Sequence, residues 1–252
     1  MQPDRGDVYV GLPCYRAARW DRIRGLMGEM NNIWSVWRGS LSIIAKYPLA
    51  TLVPAAVLGA IGEIPAYLIE SRSRLDLVLT IVTAYVAYYL YLAYAEGIVY
   101  EAERGMDSVG WQGVTEELLR AVPFVSRVLV AALITLFITS VAIGLLVIPG
   151  AWLYTRWSLA TPVIRREGLG VLGAMGRSNQ LVRGNFWFVF LTATVAYYLE
   201  EVVIHAGAEV ALLATGSSTW GEWVGGSMVA TLVIPLGAFA TSLAYSSLAR
   251  LA

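Results

Sequence analysis

Long apolar runs, separated by short polar and arginine-rich stretches, dominate this chain. Six runs predict membrane-crossing helices, although the fourth is short for a bilayer that needs about 20 residues. They cover about residues 41–69, 77–100, 124–148, 151–164, 185–213 and 224–248. The pattern therefore predicts an all-α polytopic membrane helix bundle with about six transmembrane helices.

Three further stretches have the amphipathic spacing of helices that lie on a membrane surface or cover a bundle. Before the first run, apolar residues recur every three or four positions: Trp20, Ile23, Met27, Met30, Ile33, Trp34 and Trp37. The other two stretches contain Val114, Leu118, Leu119 and Val122, and Val171, Leu172, Met175 and Leu181. We therefore divide the chain into an N-terminal segment, residues 1–40, with an interfacial helix, and a six-helix domain, residues 41–252.

The composition is typical of a membrane protein and argues against a nucleic acid partner and against sites built from paired cysteines. Hydrophobic residues make up 58% of the chain and charged residues only 14%, whereas soluble domains carry about 25% charged residues. The net charge of zero gives no basic footprint for a nucleic acid partner. A single cysteine, Cys14, excludes an intrachain disulfide and a Cys-x-x-Cys metal site.

The distribution of arginine predicts the orientation. Counting the flanks of the predicted helices, 14 arginines fall on one side and two, Arg72 and Arg74, on the other, with Lys46 and Arg156 set aside as intramembrane or boundary residues. Because positive charge is retained in the cytoplasm, we expect a multi-pass protein of the cytoplasmic membrane with both termini inside.

The run around Pro149-Gly150 is expected to form a tight turn between the third and fourth helices. This turn places Arg156 inside the fourth helix, where inserting an unpaired charge into the membrane costs about 3 kcal/mol. On the predicted topology Arg156 lies at a depth similar to that of Glu200 and Glu201. We expect a buried charge network of Arg156 with Glu200 or Glu201, and Glu63 near the outer end of the first helix.

A second interpretation concerns the same helix. Glu201, His205 and Glu209 recur at intervals of four and so share one face, where carboxylates and imidazole could bind a cation, a proton or a metal such as zinc. His205 is the only histidine, which excludes a zinc site with two or three histidines. No cofactor is otherwise indicated.

Four arginines on the predicted inner side, Arg165, Arg166, Arg177 and Arg183, could bind anionic lipid headgroups. They could equally be ordinary positive-inside residues without a ligand.

A family resemblance rests on one stretch of 43 residues, from Ile148 to Phe190. Its elements are Ile148-Pro149-Gly150, Arg156-Trp157-Ser158-Leu159-Ala160, Pro162, Glu167-Gly168, Arg177-Ser178, Leu181 and Arg183-Gly184, with Asn179 where an aromatic residue is usual. The stretch resembles the six-helix membrane domain of some glycerophosphodiester phosphodiesterases and related stand-alone bacterial and archaeal membrane proteins. The resemblance implies a membrane fold without the hydrolase chemistry, because the soluble metal-binding barrel of those enzymes is absent.

Two functions remain open from sequence. The first is a non-enzymatic membrane protein that handles lipids or small solutes, or supports a membrane-protein partner in membrane homeostasis. The alternative is a membrane-embedded metal-dependent hydrolase that uses Glu201, His205 and Glu209. The chain has no Gly-x-Ser-x-Gly elbow and no nucleotide-binding loop.

Overall fold

The computed structural model describes residues 33–68, 74–105, 111–145, 147–216 and 219–251. All regular structure in these ranges is helical, which confirms the predicted fold class. The helices are α1 (Ile33–Lys46), α2 (Pro48–Leu68), α3 (Arg74–Glu103), α4 (Trp111–Leu145), α5 (Val147–Trp157), α6 (Ala160–Glu167), α7 (Val171–Val182), α8 (Phe186–Ala214) and α9 (Thr219–Ala249). Most of the predicted N-terminal interfacial helix lies outside the described residues.

Three of the described helices are long and apolar enough to cross a membrane. The qualifying stretches are Gly113–Thr139, Phe186–Ala214 and Trp223–Ala249. Large apolar side chains such as Phe137 and Leu232 are exposed on their surfaces. Lipid chains would cover such an apolar exterior at no hydrophobic cost, so it suits a membrane protein. The total of about six spans stays a prediction.

The first predicted span is two helices rather than one. Helices α1 and α2 meet at an angle of 94° around Tyr47, and together they amount to at most one broken span. Pro48 is the first residue of α2, a position at which its missing N–H costs nothing and where it disfavours helical geometry in the residue before it. The predicted run therefore begins in α1 and turns sharply into α2.

A proline inside α2 creates a contact with α3. Pro54 has no N–H to donate to the carbonyl of Ala50 four residues earlier. The hydroxyl of Tyr94 donates to that carbonyl over 2.6 Å, and the neighbouring Tyr91 donates to the carbonyl of Thr51 over 3.0 Å. Both tyrosines are fully buried, so α3 is fixed against α2 by polar contacts within an apolar core.

The region around Pro149-Gly150 differs from the predicted hairpin. Helix α4 continues through Pro123 for 35 residues and includes the amphipathic stretch that was expected to lie separately on the membrane surface. Pro149 and Gly150 are not a turn: they occupy the first turn of α5, where the first four N–H groups have no helical acceptor and proline is tolerated. Helices α4 and α5 nevertheless pack against each other.

The fourth predicted span is also broken. Helix α5 ends at Trp157, and a turn at Ser158-Leu159 separates it from the eight-residue α6. The 11 residues of α5 rise only about 16 Å. The chain therefore does not cross a bilayer as one straight helix here.

Helix α8 is continuous from Glu200 to Glu209. Its irregularity lies earlier, where Phe190–Thr194 form a π-helical turn. The hydroxyls of Thr194 and Thr155 hydrogen-bond across to α5 over 2.8 Å. This turn sets the rotation at which the following residues, including Glu200, face the bundle.

Candidate functional site

A network of ion pairs joins three helices at the arginine-rich end of the bundle. Arg166 on α6 binds Glu96 and also donates to Glu103 over 2.8 Å, both of them on α3. Glu103 also accepts from Arg250 beyond the end of α9, over 3.2 Å. Burial opposes the charged form of Arg166, but attraction to Glu96 and Glu103 outweighs it and raises the pKa of the guanidinium. The network therefore compensates the charges of Arg166 and its carboxylate partners, which would be costly to bury unpaired.

A second ion pair lies beside this one and ties α6 to α4. Arg165 binds Glu117, which is 5% exposed, and Arg120 approaches the same carboxylate at 3.5 Å. The carboxylate of Glu117 occupies the space that a side chain at residue 97 would need: a Cβ there would lie 1.8 Å from Oε1. Gly97 therefore permits α3 and α4 to approach with the carboxylate between them.

The end of α6 adds a third carboxylate contact. Glu167 accepts from the hydroxyl of Tyr245 over 3.0 Å and from Arg177 over 3.3 Å. The chain leaves α6 through Gly168, whose φ of 67° is left-handed. Glu96 is thus paired with Arg166, and the pair belongs to a larger set of contacts between carboxylates and arginines.

These contacts bear on which of the four inner arginines could bind a lipid headgroup. Arg165 and Arg166 are largely buried and already bind carboxylates, so their charge is not available to a phosphate. Arg177 is partly occupied by Glu167, whereas Arg183 is exposed on the turn before α8. Only Arg177 and Arg183 remain candidates for a headgroup.

Arg156 does not make the predicted pair with Glu200 or Glu201. Its Nη1 donates to Oδ1 of Asn179 on α7 over 2.7 Å, and the guanidinium lies 4.0 Å from the ring centroid of Trp152. The reason is its position on α5: Tyr154, two residues earlier, faces the tyrosines near Glu200, and two residues turn a helix by about 200°. Arg156 therefore points away from the tyrosines near Glu200. The side chain of Glu63, the third predicted member of the network, lies outside the described residues.

Glu200 instead lies beside two adjoining cavities of about 50 and 180 Å³. It is 4% exposed, and its Oε2 accepts from the hydroxyl of Tyr88 at 3.4 Å. Its Oε1 lies against Gly237, where a Cβ would come within 1.7 Å, and has no hydrogen-bond partner among the described residues. A buried carboxylate with one oxygen unpartnered is costly unless something else binds it.

Tyrosines surround this carboxylate. The residues common to both cavities are Tyr88, Tyr89, Tyr197 and Glu200. Tyr88 packs edge-on against Tyr89 at 5.3 Å and against Tyr197 at 6.3 Å between ring centroids. Tyr154 approaches Tyr197 at 5.2 Å from the side of the smaller cavity. The tyrosines of α3 are close together in the sequence, but no local pattern links them to Tyr154, Tyr197 and Gly237 on other helices.

The predicted cation or metal face of α8 is not a metal-binding group in the described structure. His205 Nδ1 lies 2.7 Å from the backbone oxygen of Glu201 and 3.8 Å from its carboxylate, and the side chain is 78% exposed. Glu209 is exposed farther along the helix. Within the described ranges, no three histidine, cysteine or acidic side chains come close enough to hold a metal ion. Three side chains spaced by four residues follow one another along a helix face, so they do not surround a single metal ion unless a second helix supplies a ligand.

The chain matches no family model, no curated protein and no solved structure.

Proposed function

We propose that this protein is a non-enzymatic integral membrane protein that binds a small solute or a lipid headgroup in the cavity beside Glu200. The single observation that carries the proposal is that cavity, of about 180 Å³, which lies between α2, α3, α8 and α9 and is lined by tyrosines and carboxylates. Ligand sites are concave and mostly apolar with a few converging polar groups, and this cavity has that composition.

The membrane topology is part of the proposal. We propose six spans in the cytoplasmic membrane with both termini inside, as the distribution of arginine favours. The resemblance to the membrane domains of glycerophosphodiester phosphodiesterases fits a binding or accessory role, and membrane lipids would be the immediate partners. The metal-dependent hydrolase gains no support from the exposed His205 and Glu209.

Native mass spectrometry of the detergent-purified protein, with elemental analysis of the same sample, tests this function. We expect a bound solute or lipid, and we expect less of it in Ala230→Leu, which narrows the cavity at a buried lining position. Val202→Leu, on an exposed part of α8, is the matched control. A protein that retains nothing, and that no compound in a broad panel stabilises against heating, would contradict the proposal. A stoichiometric metal lost in His205→Ala would favour the hydrolase.

A further inference from the structure

We propose that the ligand carries an ammonium group, bound between the rings of Tyr88 and Tyr197 and the carboxylate of Glu200. This inference rests on the proposed function and names the substrate class of the same cavity. Three features of the cavity carry it: its aromatic walls, its charge and its size.

The aromatic walls suit a cation. The larger cavity is lined by Tyr85, Tyr88, Tyr89, Tyr91 and Tyr197. The face of an aromatic ring is negative and attracts ammonium groups, most of all when several rings enclose a site from which water is excluded. The same rings would give no such advantage to an anion.

The charge of the lining points the same way. Glu200 and Glu201 line the larger cavity, and none of the described lining residues of either cavity is a lysine or an arginine. Two buried polar atoms at this cavity, Oε1 of Glu200 and Oγ of Ser227, lack hydrogen-bond partners among the described residues. An ammonium group would supply the positive charge that a buried carboxylate requires, and a primary one would also donate hydrogen bonds.

The size limits the ligand to a small group. A cavity of about 150 Å³ accepts a benzene molecule, so one of about 180 Å³ accepts a choline-sized ion. The lining includes Glu201 and His205, whose side chains are 49% and 78% exposed, so the cavity reaches the surface of the bundle at that end. The ammonium could belong to a free solute or to the headgroup of a zwitterionic lipid, because both present the same chemistry.

Choline and its uncharged isostere 3,3-dimethyl-1-butanol differ mainly in the charge, and so they test the inference directly. Binding is measured by calorimetry on delipidated protein in a maltoside detergent, which carries no ammonium group itself. We expect choline to bind at least about tenfold more tightly than the alcohol, which is about 1.4 kcal/mol. We expect Glu200→Gln to reduce that preference, and Glu209→Gln, an exposed acid on the same helix outside the cavity lining, to leave it unchanged.

The outcomes separate this inference from the proposed function. Equal binding of the two compounds, or an unchanged preference in correctly folded Glu200→Gln, overturns the ammonium inference but leaves a solute-binding cavity. Binding of neither compound by wild-type protein that retains another molecule in native mass spectrometry also overturns it. Native mass spectrometry with phosphatidylcholine and phosphatidylglycerol distinguishes the sources: a Glu200-dependent preference for phosphatidylcholine identifies a lipid headgroup, and choline binding without that preference identifies a free solute.

Discussion

Arg166 donates a hydrogen bond to Glu103 over 2.8 Å and thereby connects two helix ends of similar composition. Glu103 is followed by Arg104-Gly105 and Arg166 by Glu167-Gly168, and both glycines have left-handed backbone angles, with φ of 83° and 67°. Helix α3 ends at Glu103 itself, and helix α6 ends one residue after Arg166. The two ends meet with opposite charges, and Glu96, also on α3, is a second carboxylate partner of Arg166.

Removing Arg166 should destabilise the protein strongly. Arg166→Ala leaves the fully buried Glu96 without its cation, and breaking a buried pair from one side costs about 3–5 kcal/mol. Thermal unfolding in detergent, followed by size-exclusion chromatography, measures the loss. The exposed Arg183→Ala is the control and should change stability by less than about 0.5 kcal/mol. Equal melting temperatures for the two variants would show that the network contributes little.

Gly97→Ala should weaken the contact between α3 and α4. Its Cβ would lie 1.8 Å from Oε1 of Glu117, so the carboxylate must move away from Arg165. We expect a loss of about 1–3 kcal/mol, as for overpacking elsewhere. Gly176→Ala, on an exposed part of α7 with no atom within 4 Å of the new Cβ, should be neutral or stabilise by up to about 1 kcal/mol. Similar melting temperatures for the two variants would contradict the close approach.

The partner of Arg156 can be measured by double-mutant cycles. Arg156→Ala combined with Asn179→Ala should show a coupling of about 0.5–3 kcal/mol in thermal or denaturant unfolding, because the two side chains share a hydrogen bond. Arg156→Ala combined with Glu200→Gln should be additive within about 0.5 kcal/mol, because these side chains have separate partners. The reverse result would restore the pairing expected from the sequence.

The crossing of α8 and α9 should depend on one glycine of a neighbouring pair. A Cβ on Gly225 would lie 2.2 Å from Cβ of Ala211 and 3.1 Å from the backbone oxygen of Gly207, which cannot move aside. A Cβ on Gly226 would meet Ala208 at an ordinary 3.7 Å. We therefore expect Gly225→Ala to lower the melting temperature clearly and Gly226→Ala to leave it nearly unchanged. Equal effects of the two substitutions would show that the helices separate easily.

The sequence by itself determined the class of protein and most helix positions. Apolar runs separated by arginine-rich stretches can be recognised in the sequence without knowing how the helices pack. The predicted runs at 185–213 and 224–248 correspond closely to α8 and α9. Helix boundaries near proline could not be predicted from the sequence, because proline is compatible with several positions in a helix. Pro48 begins a helix at a bend, Pro149 lies in a first turn, and Pro123 lies within α4.

Only the tertiary structure decided which charges meet. The depth of Arg156 and Glu200 along their helices suggested a pair, but depth leaves the rotation of each helix undetermined, and a few residues change it by a half turn. The π-helical turn at Phe190–Thr194 precedes Glu200 on α8, and the break after Trp157 precedes Arg166 on α6. In the folded protein Arg156 meets Asn179, Glu200 lies among tyrosines, and Arg166 meets Glu96, a residue 70 positions away in the chain.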